Sequence, residues 1–431
     1  MKSLQKVHML ALCLFTSLGL FAQESTQTIS YTDFEQLQSD NVLAKRFKIT
    51  GYVQTQFQLA DTAGINSYAG GNFSSNLDNR FMVRRGRLKF AYTFEDAQAV
   101  VQYDLSEKGF ALKDAWVAVM DPWLKTIKLT AGSFDRPFGY EISYSSSTRE
   151  SPERARIFQT LFPGELDLGA KLTIQGPKTS SWNFLKLDLG LFNGNGVAVE
   201  TDRYKDFIGH LSIQKTSTDE KLSWGLGASY YLGGYALATT KRYAIKETAG
   251  VKAFELSSVK VGDQSHREYV GIDGQLSYDW EPGMTQVRAE YLRGSQPGSA
   301  TSSTSLTAAA SGDVYNRNFN GWYVYLIQNI LESPLQVVVK YDVYDPNTDV
   351  SGNQIGAATI PSNVSTGATD IKYSTLGVGL NYVLTPNAKL LAYYDAVKNE
   401  TTSNIPFSST LKDLSHDRKD NVLTLRLQYK F

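Results

Sequence analysis

The chain ends with Leu423-Thr424-Leu425-Arg426-Leu427-Gln428-Tyr429-Lys430-Phe431, in which apolar and polar side chains alternate without interruption. A period of two places the apolar side chains on one face of a β-strand and the polar side chains on the other. A strand of this kind separates an apolar environment from a polar one. The rest of the chain can be searched for the same pattern.

Period-two alternation recurs from Phe47 onward, for example in Leu185-Lys186-Leu187-Asp188-Leu189 and in Leu168-Gly169-Ala170-Lys171-Leu172. Sixteen such segments start near residues 47, 81, 97, 111, 125, 166, 183, 207, 222, 267, 285, 320, 335, 371, 387 and 421. Most are about ten residues long, which is the length that a tilted strand needs to cross a membrane. An even number of strands is typical of bacterial outer-membrane barrels.

Connections between these segments alternate between short and long. The short ones contain tight-turn residues, as in Glu95-Asp96, Asp121-Pro122, Gly176-Pro177 and Ser333-Pro334. The long ones lie near 60–80, 134–165, 193–206, 232–266, 294–319, 345–370 and 398–420, with a modest member near 106–110. This alternation predicts an antiparallel transmembrane β-barrel with tight turns at one rim and surface loops at the other.

Composition excludes several other classes. The 431 residues include 43 basic and 43 acidic side chains, and 42% of the residues are hydrophobic. No segment after residue 22 has 18 successive apolar residues, which excludes a bundle of membrane-spanning helices. The apolar content is too high for a disordered chain, and a neutral formal charge gives no support for nucleic-acid binding.

The first 22 residues have the features of a Sec signal peptide. Lys2 and Lys6 precede the apolar run from Met9 to Leu20, and Ala22 is a small residue at the expected cleavage position. The only cysteine, Cys13, lies in this run, so the predicted mature chain can form no disulfide. We therefore expect a signal peptide at 1–22, a short periplasmic segment with a brief helix at 23–46, and the barrel at 47–431.

Enzyme motifs are missing from the sequence. It has no G-x-S-x-G elbow, no P-loop and no pair of histidines spaced for zinc. His210 lies near Ser212 on one face of its strand, which keeps a barrel hydrolase open as an alternative. Asp345, Asn347 and Asp349 lack the glycine and glutamate of a calcium loop. The sequence predicts no enzyme, no cofactor and no metal.

Charged residues within the strands should face a water-filled lumen, because Arg or Lys on the lipid face costs roughly 2–4 kcal/mol at mid-bilayer. In the second segment, Arg85, Arg87 and Lys89 share a face with Val83, while Met82 falls on the opposite face. Arg84 breaks this pattern, and we expect it to lie close to a membrane interface or to snorkel. The other expected lumen cations are Lys171, Lys186, Arg288, Lys340 and Arg426, mixed with Asp104, Asp188, Asp273, Glu290 and Asp342.

The connection at 134–165 is the third at its rim when the modest link near 106–110 is counted. It is rich in both basic and acidic residues. Its basic residues are Arg136, Arg149, Arg154 and Arg156, and its acidic residues are Glu141, Glu150, Glu153 and Glu165. Opposed charges at a constriction can create a transverse field that sets ion preference. Alternatively, these charges pair with one another and hold the loop against the wall.

At this point the chain resembles a known family, the phosphate-selective porins O and P. The residues that carry the resemblance are Arg84-Arg85-Gly86-Arg87-Leu88, Lys113-Asp114-Ala115-Trp116, Gly132-Ser133-Phe134, Pro137-Phe138-Gly139-Tyr140-Glu141, Ser145-Ser146, Glu153-Arg154 and Gly190-Leu191-Phe192-Asn193-Gly194. Their order covers roughly residues 47–215, and the terminal Phe431 looks like the C-terminal signal of outer-membrane proteins. The resemblance implies a homotrimeric, sixteen-stranded channel with the third loop folded into the lumen.

The resemblance also implies that Arg85, Arg87 and Arg154 guide anions. The chain departs from the family because the expected lumen mixes bases with acids, and no second arginine-rich strand lies around residues 205–245. We therefore expect a bacterial outer-membrane pore for passive diffusion of small hydrophilic solutes, with lipid around it and with an anion or phosphate preference left open. The alternatives are an outer-membrane hydrolase and a surface-binding barrel that uses its loops at 232–266 and 345–370.

Overall fold

The computed structural model describes residues 46–107, 109–248, 250–306, 312–405 and 413–431. The compact unit Ile49–Phe431 contains the architecture given below. None of the helices within the described residues has the length and apolar character needed to cross a membrane. The predicted signal peptide at 1–22 and the segment with its helix at 23–46 lie outside the described residues, apart from Arg46, and stay predictions.

Eighteen β-strands make up almost all the regular structure of the described residues. They are β1 Phe47–Ala60, β2 Asn79–Phe94, β3 Ala97–Ser106, β4 Gly109–Met120, β5 Ile127–Asp135, β6 Leu166–Gln175, β7 Leu185–Phe192, β8 Asp206–Thr216, β9 Leu222–Ala236, β10 Lys241–Thr248, β11 Val251–Ser258, β12 Gln264–Tyr278, β13 Thr285–Gly298, β14 Val314–Asn329, β15 Leu335–Asp345, β16 Tyr373–Thr385, β17 Ala388–Asn399 and β18 Val422–Lys430. One short helix, α1 Arg156–Leu161, and two 3-10 turns at Gly352–Gln354 and Ala368–Asp370 complete the list.

Sixteen of these strands form a closed antiparallel barrel, which confirms the predicted fold class. Each pairs with the next along the chain, β9 pairs with β12, and β1 pairs with both β2 and β18 to close the sheet. The observed barrel strands begin within six residues of the predicted positions. The two remaining strands, β10 and β11, form a hairpin inside the connection predicted as a long loop at 232–266.

The two rims of the barrel differ as the connection lengths predicted. Tight turns such as 95–96, 217–221 and 386–387 lie at one rim, which we call the turn rim. The opposite loop rim carries the long connections and also the link between β3 and β4, which spans only residues 107–108. At the loop rim, β10 runs parallel to the start of β14, and Phe254 of β11 bridges to Val364 of the β15–β16 loop.

The faces of the strands follow the predicted alternation in most of the barrel. In β18, Leu425 and Leu427 are 44% and 47% exposed on the outer face, while Thr424, Arg426 and Gln428 are buried inside. In β2 the prediction was wrong at its loop-rim end. Met82 is buried, Val83 points outward, and both Arg84 and Arg85 reach the carboxylate of Glu153 inside the barrel. The alternation therefore shifts by one residue at Arg84, as a β-bulge does.

A second irregularity lies on β4. The pairing of β3 with β4 shifts between Val101 and Tyr103, which leaves Lys113 and Asp114 together opposite one residue of β3. Both residues line space inside the barrel, Lys113 nearer the loop rim and Asp114 nearer the turn rim. A β-bulge commonly redirects side chains in this way, and here it adds two charges to the lumen.

Candidate pore and its constriction

The connection between β5 and β6, which we call the inner loop (residues 136–165), folds into the lumen. Its apolar side chains pack against aromatic and aliphatic side chains that point inward from the wall. Phe158 of α1 lies 5.9 Å from Tyr323 between ring centroids, and Phe138 lies 5.1 Å from Phe162. The cluster consists of Phe134, Phe138, Ile142, Ala155, Ile157, Phe158, Leu161, Phe162, Phe192, Ile208, Tyr231, Tyr269, Leu292, Phe319, Tyr323, Tyr325, Ile327, Val338, Tyr344, Leu391 and Tyr393. Most of its wall members lie on β12–β18, so the loop fills one side of the lumen.

Main-chain carbonyls of the inner loop accept hydrogen bonds from wall side chains on β1 and β16–β18. The five bonds run from Gln54 to Ser146 (2.9 Å), from Gln428 to Ser147 (2.8 Å), from Lys389 to Arg149 (2.9 Å), from Asn381 to Glu150 (3.1 Å) and from Arg426 to Pro152 (2.9 Å). Buried carbonyls need such donors because no water reaches them. We call the lumen bordered by β12–β18, β1 and the loop-rim end of β2 (residues 79–85) the plugged side. The lumen bordered by the rest of β2 and by β3–β8 is the open side.

Glu153 holds the end of this segment to the wall. Its carboxylate accepts hydrogen bonds from Arg84 (2.8 and 2.9 Å), Arg85 (2.6 Å) and Arg426 (3.1 Å), and Glu153 is 5% exposed. Charge-assisted bonds of this kind are stronger than neutral ones. Arg84 does not snorkel outward, because the shift in β2 turns its side chain toward Glu153.

Most other candidate cations of the plugged side and the loop also have partners. Arg288 pairs with Glu150, Arg154 with Glu165, Arg136 with Asp167 at 3.3 Å, and Lys340 with Asp342 at 3.3 Å. Arg149 donates to the Tyr144 carbonyl at 3.2 Å. Arg156 lies between the rings of Tyr68 and Tyr373, at 4.3 and 3.9 Å from their centroids. Of the loop charges, Arg154 and Glu165 pair with each other, while Arg136, Glu150 and Glu153 pair with wall residues. A role of these charges in ion selection stays a prediction.

The open side contains most of a cavity of about 600 Å³, which we call the turn-side cavity and which extends to β12 and β13. Lys89, Lys128, Lys171 and Lys186 line it from the wall. The inner loop lines it with Arg136, Pro137, Gly139, Tyr140 and Ser143. Lys171 and Lys186 share Asp188, at 3.5 and 2.8 Å. Lys89 and Lys128 make no ion pair or hydrogen bond with any described residue.

A second space of about 260 Å³, the loop-side cavity, lies between the inner loop and β2–β4. Arg87 and Lys113 line it from the wall, and Glu165 lines it from the loop. Arg87 pairs with Asp104 at 3.5 Å, and within the described chain the Lys113 ammonium group has no partner. The two cavities are neighbours, since Arg87 and Lys89 are consecutive inward residues of β2 and Lys113 adjoins Asp114 on β4.

His210 was the residue on which a hydrolase alternative rested. Its Nε2 lies 3.1 Å from Asp273 Oδ2, across Gly227, where a side chain would collide with both groups. Gln275 donates to the other oxygen of Asp273 at 2.7 Å. No hydrogen bond joins His210 to Ser212 among the described residues, so no nucleophile is activated by this histidine in the structure.

Two lysines of the open side were not among the candidate residues. Lys128 alternates inward with Thr130 on β5, and the period of two would have found it. Lys113 stands beside Asp114 in an otherwise alternating strand, and two adjacent charges there indicate a bulge. The buried pairs Arg267–Asp206 (2.7 Å) and Arg317–Asp370 (2.8 Å) join residues too far apart in sequence to be predicted.

Comparison with known proteins gives matches at the level of structure. No protein-family model and no curated protein sequence matches the chain. An anion-selective porin from Comamonas acidovorans matches with a TM-score of 0.52 and 10% identity, over 89% of this chain and 99% of that one. The outer-membrane channel DcaP of Acinetobacter baumannii (12% identity) and Salmonella typhi OmpF in complex with daunomycin (11%) each match with a TM-score of 0.50, over 89% of this chain and 97% of theirs.

These identities are low, and the likeness concerns the fold alone. It covers the same closed barrel that the strand pairing describes, at nearly the full length of each solved chain. The family of phosphate-selective porins O and P, which the sequence resembles, is not among these three structures. The chain thus has the fold of bacterial outer-membrane porins.

Proposed function

We propose that the protein is an outer-membrane pore through which small hydrophilic solutes diffuse passively. The observation that carries this proposal is the contrast between the two faces of the wall. Outer residues such as Leu380, Leu425 and Leu427 are apolar and exposed, whereas most inner residues that border the cavities are polar or charged. An apolar outer surface of this extent is suited to lipid, and a polar interior is suited to water.

The permeation path that we propose runs along the open side. The loop-side and turn-side cavities adjoin there, beside β2–β8, while the inner loop and its aromatic cluster fill the plugged side. Solutes would then be selected by the width left between the inner loop and this wall. No covalent chemistry is required.

A weak anion preference is the selectivity that the wall supports best. Eleven Arg and Lys side chains and seven Asp and Glu side chains line the two cavities. Lys89, Lys113 and Lys128 have no carboxylate partner, so their charge is available to a passing anion. The Comamonas porin of the same fold is named as anion-selective. Asp114 and Asp135 line the turn-side cavity with these lysines, so we propose no selection of phosphate over other anions.

Reversal potential across a planar bilayer tests this proposal. With a KCl gradient, the purified protein should give stepwise conductance and a reversal potential shifted toward chloride. The double variant Lys89→Glu, Lys113→Glu should shift the reversal potential toward potassium. Lys221→Glu, in an exposed turn at the turn rim, is the matched control and should leave it unchanged. Protein that inserts without conducting would contradict the pore, and an unmoved reversal potential would contradict the proposed path.

We also propose that copies of the chain associate as homotrimers through the outer face near β2. Strand β3 pairs only with residues 87–94 of β2. The loop-rim half of β2 therefore extends past the end of β3. Phe81, in that half, is 83% exposed. Lipid can cover this apolar surface but cannot pair with a strand edge, which favours a second copy. Phe81→Glu should reduce the mass of the detergent-solubilised assembly, and an unchanged mass would exclude this surface.

A further inference from the structure

Two partly buried aromatic side chains line the turn-side cavity inside the barrel, Trp116 on the wall and Tyr140 on the inner loop. Trp116 of β4 packs against the aromatic cluster but is only partly buried, and it also lines the cavity. The cluster rings Phe138, Phe158 and Tyr231 are, by comparison, fully buried between loop and wall. Trp116 therefore presents apolar surface to the proposed path, where the neighbouring wall side chains are mostly polar.

The wall beside Trp116 is built without side chains. Gly132 pairs directly with Trp116, and Gly169 pairs with Gly132 on the next strand. Gly132 has a φ of +130°, and a Cβ there would lie 2.7 Å from the Trp116 Cα and 3.0 Å from its Cβ. A substitution at Gly132 would therefore be strained and would crowd the indole. The two glycines in register let Trp116 and the ring of Phe192 lie close against the wall, and the indole borders the turn-side cavity.

Cationic groups without partners flank this aromatic surface. Lys89 lies on β2 and Lys128 on β5, on either side of β4, and both line the same cavity. From strand spacings, each Cα is on the order of 12 Å from that of Trp116, a distance that a lysine side chain can partly bridge. A ring stacked on the indole could then place an attached anionic group near an ammonium group.

We propose that the pore favours solutes that combine a flat apolar ring with a carboxylate, with Trp116 as the residue that recognises the ring. Aromatic rings associate with indole by stacking or edge contacts, and Lys89 and Lys128 attract the carboxylate. Acetate has the charge without the ring, and benzamide has the ring without the charge. This proposal rests on the proposed pore function and adds a solute class to it.

Benzoate, acetate and benzamide distinguish the contributions of ring and charge. Each is added to one side of a bilayer that holds the conducting protein, and the chloride current is recorded. Benzoate should halve the current at a concentration about tenfold lower than acetate or benzamide requires, which corresponds to one modest aromatic contact. Trp116→Ala should raise the benzoate concentration to that of acetate, and Trp116→Phe should retain most of the difference.

Trp322→Ala is the matched control, because Trp322 lies on the outer face of β14 against Tyr341. It should leave the response to benzoate unchanged. If benzoate and acetate act equally on the wild-type pore, or if Trp116→Ala preserves the difference, the solute class is wrong. Those results require an open chloride current, so they are distinct from failure of the pore itself, in which no current is seen for any variant.

Discussion

The plugged side and the open side of the lumen contain the same kinds of charged side chains with opposite surroundings. On the plugged side Glu153 binds Arg84, Arg85 and Arg426, and of these Arg85 and Arg426 are buried. On the open side Lys89 and Lys128 border a cavity of about 600 Å³ and have no partner among the described residues. The groups that surround a charged side chain therefore decide its role in this barrel. Charges met by the inner loop fix the loop, and charges that meet empty space are available to solutes.

The difference has a simple physical origin. A charge that is taken out of water must gain an opposite charge or several hydrogen bonds, since an unpaired buried ion is costly. The inner loop excludes water from the plugged side, and it supplies Glu150 and Glu153 together with five carbonyls as partners. The wall of the open side keeps space for water, which solvates its lysines and lets them remain unpaired.

The largest expected effect is the loss of Glu153. Glu153→Ala would leave three guanidinium groups, two of them buried, without their carboxylate, and removing one partner of a buried pair costs about 3–5 kcal/mol. We expect the free energy of unfolding, measured by urea titration in lipid vesicles, to fall by this amount. Single-channel conductance should rise because the loop loses its attachment to β2 and β18.

Asp104→Ala, on the open side, is the variant to compare with Glu153→Ala in the urea titration. Asp104 pairs with Arg87 at 3.5 Å and accepts a hydrogen bond from the Gly86 backbone N–H at 3.3 Å, beside the loop-side cavity. Its removal should lower the unfolding free energy by less than about 1 kcal/mol. Equal losses for the two variants would mean that the two sides do not differ in the way described.

Truncation of the aromatic cluster should have the next largest effect. Phe158 is 1% exposed and packs on Tyr323, so Phe158→Ala should cost about 3 kcal/mol of unfolding free energy. Trp116→Ala, in the partly open wall, should cost about half as much because less of its surface is buried. A larger loss for Trp116 than for Phe158 would contradict the assignment of the plugged side.

The barrel could be predicted from the sequence because strand alternation is a local pattern. The contacts of the inner loop could not be predicted in this way. A period of two is a property of neighbouring residues, and it gave sixteen strand starts within six residues of those observed. It failed at Arg84 and Lys113, where single bulges shift the faces. It also missed β10 and β11, because this hairpin packs among loops at the rim and has no continuous lipid-facing side.

The contacts of the inner loop depend on distant residues. Glu153 reaches Arg84 across 69 positions and Arg426 across 273 positions of the sequence. The candidate list therefore contained Arg85, Arg154 and Arg426 without indicating which carboxylate each would meet. Composition of the loop suggested pairing as one of two possibilities, but only the folded wall decides which charges face each other.

The turn between β4 and β5, which belongs to neither side of the lumen, should make a smaller contribution to stability. Asp121 accepts backbone hydrogen bonds from Ile127, Leu124, Thr126 and Lys125, and these bonds hold the pKa of Asp121 well below its usual range. Because the folded-state pKa is lowered, this stabilisation is complete above about pH 4 and is lost as the pH falls toward the lowered value.

Asp121→Ala should therefore lower the urea midpoint slightly at pH 7, and its difference from wild type should shrink at pH 2. Asp279→Ala provides the control, since Asp279 lies exposed in another turn and accepts no hydrogen bond from a described residue. A difference for Asp121→Ala that stays constant with pH would contradict the role given to these hydrogen bonds.

The smallest effect on stability is expected for Lys128→Gln on the open side. Because Lys128 has no partner to lose, the unfolding free energy should change by no more than about 0.5 kcal/mol. The chloride current at fixed voltage should fall. Lys340→Gln on the plugged side should do the reverse, because it leaves Asp342 buried without its cation. Measuring stability and current for both variants separates structural charges from those on the path.

Accessibility of single cysteines tests most directly whether solutes pass along the open side. Cys13, in the predicted signal peptide, is the only native cysteine, so Lys89→Cys and Lys340→Cys each give one reactive thiol in the predicted mature chain. A negatively charged, membrane-impermeant thiol reagent should reduce the current of Lys89→Cys in discrete steps and leave the current of Lys340→Cys unchanged. If the reagent reduced the current of Lys340→Cys and left that of Lys89→Cys unchanged, the path would lie on the other side of the lumen. That result would contradict this account.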